Sequence, residues 1–238
     1  MEAFTSYERL HLDSFEEIRR SQHFEVYSVG LDEQLRPAIG DDLAEYLPEW
    51  ENVSMAGGLV SHQLRFSEFF IAWKTTGPLP LVHGEIDVFP LLDVVEQGEG
   101  PPIRYPTTEF QRRFLSQLRC IAGSRGSGNG HLTHLRVQPD ASPVEIWFDD
   151  EHADTELYPS HPYPCTHVKL DLTYGEYVDA LLATKGTRGW EFLFTDIELG
   201  KPYFHDIVTN LRNMLEVFPR LFPACDYTPF RERLAARL

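Results

Sequence analysis

Cysteine, positive charge and long apolar runs are all scarce in this 238-residue chain. The three cysteines, Cys120, Cys165 and Cys225, are odd in number and show no CxxC spacing, which argues against a disulfide framework. Lys and Arg total 21 against 37 Asp and Glu, a formal charge of −16. A surface so poor in bases repels phosphate backbones, which makes duplex DNA or RNA a poor partner; the plain reading is that the charge keeps the protein soluble, and the functional one that it steers toward a basic protein surface. No apolar run approaches the roughly 18 residues of a membrane helix; Phe69-Phe70-Ile71-Ala72-Trp73 is among the longest. Met1-Glu2-Ala3-Phe4 lacks the basic and apolar regions of a signal peptide, so a cytoplasmic protein is the expectation.

What is present suffices for a core, since 42% of the residues are hydrophobic and 13% aromatic. No repeat or low-complexity segment divides residues 1–238, and one domain is expected. Strands are legible as alternating patterns in Phe24–Val29, Glu85–Phe89, Leu132–Val137, Val144–Phe148 and His167–Leu172, with a denser apolar run at Phe69–Trp73. Pro90 stops the second of these. Thr173 and Glu176 form a capping box ahead of Tyr174, Tyr177, Val178, Leu181 and Leu182, a helical stripe. Lys185 is placed to complement the helix dipole, and Gly186 to supply a left-handed stop. A second helix is expected from about Pro202 to Val217, with Pro219 ending it, and a short last one from Thr228-Pro229. Strands followed by helices point to an α+β fold.

Four stretches invite a chemical reading. Gly123-Ser124-Arg125-Gly126-Ser127-Gly128-Asn129-Gly130 has glycines at phosphate-loop spacing, but Asn129-Gly130 stands where Lys-Ser/Thr is needed; a hairpin loop explains it. Arg112, Arg113, Arg119, Arg125 and Arg136 lie in a stretch without acids and without interleaved aromatics, so a solvated face is expected rather than nucleic-acid contact. His161, Cys165 and His167 offer donors within seven residues but lack a second ligand pair at zinc spacing, and a proline-shaped turn is the plainer reading. His131 and His134, three apart on a strand, should face opposite sides. The acidic run around Asp149, Asp150, Glu151, Asp154 and Glu156 fails the EF-hand spacing and reads most plainly as a solvated loop; its better functional use is a protein-contact patch, with Trp147 or Tyr158 as an aromatic anchor. No GxSxG elbow, HExxH helix or cysteine-nucleophile signature occurs.

The order of several segments carries more than any one of them. Gly84-Glu85-Ile86-Asp87-Val88-Phe89-Pro90-Leu91, then Val144-Glu145-Ile146-Trp147-Phe148-Asp149, then Leu170-Asp171-Leu172-Thr173-Tyr174-Gly175-Glu176-Tyr177, and finally Lys185-Gly186-Thr187-Arg188-Gly189-Trp190 follow one another along the chain. Together they resemble the strand, late strand, helix entry and closing turn of the SUKH superfamily, the Smi/Knr-like domain. The resemblance covers about residues 55–195. Asp42–Pro48 is at best a distorted form of that family's amino-terminal helix, and the helical segment 201–238 is an addition to it.

The resemblance implies a bent, mainly antiparallel sheet flanked by helices. It also implies a non-enzymatic module, of the kind that in bacteria serves as an immunity protein binding and silencing a polymorphic toxin, often a nuclease. No catalytic residue, metal or cofactor comes with it. The expected partner is a protein with a basic surface, such as a toxin domain, and neither nucleic acid nor membrane. A regulatory scaffold binding an endogenous protein, and a metal-dependent hydrolase using His161, Cys165 and His167 or Asp149 and Glu151, stand as the alternatives.

Overall fold

Among the described residues seven strands pair strictly in chain order and antiparallel throughout, so each strand meets only its sequence neighbours. They are β1 (Phe24–Leu35), β2 (Phe66–Thr75), β3 (His83–Val88), β4 (Leu118–Ala122), β5 (His131–Arg136), β6 (Glu145–Asp150) and β7 (His167–Leu170). With them run α1 (Ser6–Arg20), α2 (Leu91–Val95), α3 (Glu109–Ser116), α4 (Tyr174–Thr184), α5 (His205–Leu221) and α6 (Thr228–Ala235). This is the α+β arrangement expected, read from a computed structural model. It describes residues 3–40, 42–46, 48–52, 58–97, 100–101, 108–138, 143–150, 163 and 166–238. No helix among the described residues is long and apolar enough to cross a membrane.

Three helices begin at capping boxes, each satisfying donors the helix cannot satisfy itself. Thr5 and Glu8 start α1, Thr108 and Gln111 start α3, and Thr173 and Glu176 start α4. The buried stripe of α1 is Glu8, His11, Ser14, Phe15 and Ile18, polar for half its length. Glu8 is fully buried and takes the Arg65 guanidinium at 2.7 Å from Nε and 2.9 Å from Nη2, so an internal ion pair ties α1 to the start of β2.

The central strand β2 explains the main core. Phe69, Ile71 and Trp73 alternate onto one face, which α1, α4 and α5 cover; Phe15 lies 5.2 Å from Phe69 and Phe218 5.9 Å from Trp73. One continuous cluster runs from Phe15 to Leu234, so the segment after residue 200 is an integral wall of this core. Each such side chain contributes roughly 1.5–3 kcal/mol on burial. Tyr177, Trp190, Phe192 and Phe194 are all buried: Trp190 lies 5.1 Å from Tyr177 of α4, Phe192 5.1 Å from Phe148 of β6, and Phe194 6.2 Å from Phe230 of α6. On the opposite sheet face a smaller cluster joins Phe114, Leu115, Leu118 and Trp147.

Two helix ends differ from expectation. Lys185 does not complement the α4 dipole from solvent. It takes the left-handed conformation itself (φ 52°) ahead of Gly186 (φ 65°), and its buried Nζ donates to Ser14 Oγ at 2.7 Å and Glu17 Oε2 at 3.0 Å. Pro219 lies inside α5 rather than ending it. Proline lacks the N–H that would reach the Leu215 carbonyl. Arg231 of α6 supplies the missing donor, with Nη2 3.0 Å from that oxygen, and the helix continues to Leu221.

The basic stretch is also not a solvated face as a whole. Arg112 and Arg113 are exposed, but Arg119 is buried and donates to the Ser116 and Leu118 carbonyls. Arg136 pairs with Glu145 at 3.1 Å and lies over the Phe114 ring. Arg125 pairs with Asp87 and Glu68.

Candidate cleft in the split sheet

β3 and β4 share one register pair, Val88 with Ala122. Beyond it β3 runs on without a β4 partner, and the sheet divides. The turn after α4 partly fills the opening: Glu85 N–H donates to the Gly186 carbonyl (2.8 Å) and Arg188 N–H to the His83 carbonyl (2.9 Å). Gly186 is required here, because a Cβ on it would lie 2.0 Å from the Glu85 carbonyl oxygen. Asn210 of α5 locks the arrangement. Its Oδ1 accepts from His83 N–H, and its Nδ2 donates to the His83 and Arg188 carbonyls.

The glycine-rich loop closes the other side, as the hairpin connection between β4 and β5 expected for it. Arg125 bonds Asp87 through Nε (2.8 Å), and Glu85 accepts from Gly126 N–H (2.7 Å) and Ser127 N–H (3.0 Å). The backbone amides that a phosphate loop would offer to an anion are thus taken by a carboxylate of the protein itself.

Between these walls lies a cavity of about 40 Å³, lined among others by Tyr27, His83, Glu85, Asn129, His131, Arg188 and Glu191. At its floor, Glu191 keeps Oε2 sealed from solvent and without a hydrogen-bond partner. Burial, with the nearby Asp150 adding to it, pushes the Glu191 carboxyl up to about 8, so it carries its proton near neutrality. His131 Nε2 stands 3.9 Å from Asp150 Oδ1, and the Tyr203 hydroxyl donates to Asp150 Oδ2 at 3.2 Å. The cavity thus has a protonated carboxyl, Glu191, in its lining, while Asp150 is engaged by His131 and Tyr203. It is far smaller than the roughly 300–1,000 Å³ of a small-molecule site. A larger open groove of about 860 Å³ runs past Glu145, Lys169, Arg233 and Arg237. Its basic groups are engaged internally: Lys169 binds Glu145 (2.7 Å), Arg237 the Thr195 carbonyl (2.6 Å), and Arg233 covers the Phe194 ring.

The residues singled out in the acidic run are divided by the structure. β6 continues two residues past Phe148, and this carries Asp149 and Asp150 into the sheet instead of onto a solvated loop. Trp147, Asp149 and Asp150 are all buried. Trp147 packs on Phe114 with ring centres 4.7 Å apart, so it is a core side chain and not an open anchor. Asp149 lies 3.4 Å from His167 Nδ1, and Asp150 joins the cleft cluster. Glu151, Asp154, Glu156 and Tyr158 lie outside the described residues, as do His161 and Cys165.

His131 and His134 do face opposite sides. His131 meets Phe148 and Phe192 of the main core, whereas His134 stacks 6.1 Å from His167 on the other face. His134 Nδ1 is enclosed without a hydrogen-bond partner, and burial pushes that imidazole down to about 3, so it stays neutral. Among the described residues, no group of three or more His, Cys, Asp or Glu is placed to hold a metal ion.

Sequence reading assigns no site role to Glu191, Arg188 or Tyr203. Their one local signal is Gly186-Thr187-Arg188-Gly189, whose two glycines take positive φ and present the turn to the cleft. No family model, curated protein or solved structure matches the chain.

Proposed function

We propose that this chain is a non-enzymatic protein-binding module of the immunity type, which neutralises a toxin by covering a basic face of it. The observation that carries this reading is a set of exposed acids along the end of β1 and the segment that follows. Asp32, Glu33, Asp42, Glu45 and Glu51 are all exposed, and none has an ion-pair partner among the described residues. Acids at Glu16, Glu17 and Glu25 nearby are each matched by a base. Unmatched like charge raises the energy of the free protein and is relieved by a cationic partner, which also speeds encounter. The order of SUKH-like segments supports the same reading, and the small cleft offers no room for a bulky substrate.

Glu151, Asp154, Glu156 and Tyr158, the rest of the acidic run by sequence, are a second candidate contact set. Serine substitutions there, set against serine substitutions at the five acids above, separate the two surfaces. The test of the function is a pull-down from the native host, washed at low and then high salt. A basic toxin-like domain released by salt supports immunity. Recovery of endogenous signalling or envelope proteins instead favours the scaffold reading, and an empty eluate at low salt contradicts both.

A further inference from the structure

We infer that β1 is a docking edge onto which an extended basic segment of the partner adds as an eighth strand; this rests on the protein-binding reading above. β1 is the terminal strand of the sheet among the described residues, and its pairing with β2 uses only one side of its backbone. Among the described residues, no bridge or hydrogen bond from another element reaches Glu25–Asp32 on the outer side. An edge strand of this length exposes a row of backbone donors and acceptors that pair readily with another extended chain.

The register shows where such a segment fits. It shifts between Val26 and Ser28 and again between Asp32 and Leu35, while Ser28, Val29, Gly30, Leu31 and Asp32 pair without interruption. Irregularities at both ends commonly blunt an edge, but here they bracket a regular five-residue window. Tyr27 and Val29 are 45% and 52% exposed, apolar surface for an added strand to cover.

Charge decides the occupant. β1 carries Glu25, Asp32 and Glu33 and neither Lys nor Arg, and only Glu25 is offset, by Lys74 of β2, so pairing two copies along this edge would bring together the unmatched Asp32 and Glu33 of both strands. Like charges brought together across a strand pair are destabilising. Self-pairing is therefore disfavoured, whereas a strand bearing Lys or Arg meets Asp32 and Glu33, which have no ion-pair partner among the described residues. Main-chain bonds supply the attachment, and the acids select for positive charge.

The test uses the full chain and a hexapeptide of alternating Lys and Val, acetylated and amidated at its ends. A control of identical charge carries N-methyl groups on one central Lys and one central Val, which blocks both hydrogen-bonding edges. Amide hydrogen exchange is followed by NMR. The expected result is at least tenfold slower exchange at alternate amides within Ser28–Asp32 with the parent peptide, and none with the control. Equal effects of the two peptides would leave a charge-only contact and overturn strand addition without touching the basic-partner reading. Slowed exchange only elsewhere, or no effect of either peptide at low salt, also overturns it, while the pull-down judges the protein-binding reading separately. Protection that appears without peptide and grows with protein concentration assigns the edge to a second copy, and overturns it as well.

Discussion

Replacing Glu8 by Ala removes the carboxylate counter-ion from a buried guanidinium, which also donates to the Ala3 carbonyl at 3.4 Å. The Arg65 side chain is 7% exposed, and Glu8 accepts from its Nε, its Nη2 and its backbone N–H as well as from Thr5 N–H. Breaking a buried pair by deleting one partner typically costs about 3–5 kcal/mol, because the remaining charge is stranded. Loss of the capping box adds about 1 kcal/mol. We expect a destabilisation of about 4–6 kcal/mol by urea unfolding, seen as a lower midpoint with an unchanged slope. Glu8→Leu with Arg65→Met should be much milder than either single change, since no charge is left unpaired. Burial pushes the Glu8 carboxyl up, but the bonds from Arg65 and Thr5 outweigh it and hold the carboxyl below its usual range. The pair's contribution is thus fully present above the ordinary carboxylate range and lost as pH falls through the lowered folded value. A loss under about 1 kcal/mol for Glu8→Ala would refute the claim that this ion pair anchors α1.

Three further outcomes follow from the same structure. Trp190→Ala, at a side chain 1% exposed, should cost about 3–5 kcal/mol by thermal or urea unfolding while leaving partner affinity unchanged in the folded fraction. Arg231→Ala should cost about 1 kcal/mol by unsatisfying the Leu215 carbonyl, and a double-mutant cycle with Pro219→Ala should recover part of it, because alanine in place of the proline restores the helical donor. Glu191 gives an opposite pH signature to Glu8. Its folded value of about 8 lies above the unfolded one, so the unfolded state loses its proton first and stability falls as pH rises toward 8. Glu191→Gln should remove a slope worth about 1.4 kcal/mol per pH unit between about pH 6 and 8, measured by urea midpoints.

Much of the fold could be read from periodicity, and the failures have physical causes. β5, β6, β7 and α4 show clean alternation or a clean stripe, and the structure forms all four elements there, with strand ends shifted by one or two residues. α1 escaped because Glu8, His11 and Ser14 occupy its buried stripe, so its apolar pattern is interrupted by a satisfied ion pair and a neutral histidine. Its capping box at Thr5 and Glu8, like that of α3 at Thr108 and Gln111, was the available signal. β4 carries Arg119 and Cys120 in five residues, and the buried arginine donates to the Ser116 and Leu118 carbonyls. Asp149 and Asp150 resembled a solvated loop until pairing with β5 showed them to be the end of β6. The cleft was beyond sequence reading, since His83, Glu85, His131, Arg188 and Glu191 come together where β3 parts from β4.

The central claim is that unmatched acidic surface on and after β1 binds a basic partner. Its most direct test is the affinity of the partner recovered in the pull-down, measured by calorimetry across a salt series. Wild type is compared with a variant carrying Ser at Asp32, Glu33, Asp42, Glu45 and Glu51. The account predicts binding at least about tenfold weaker for the variant at low salt, a shallower dependence on salt, and unchanged stability because all five side chains are exposed. Equal affinity and equal salt dependence for the two proteins would contradict it.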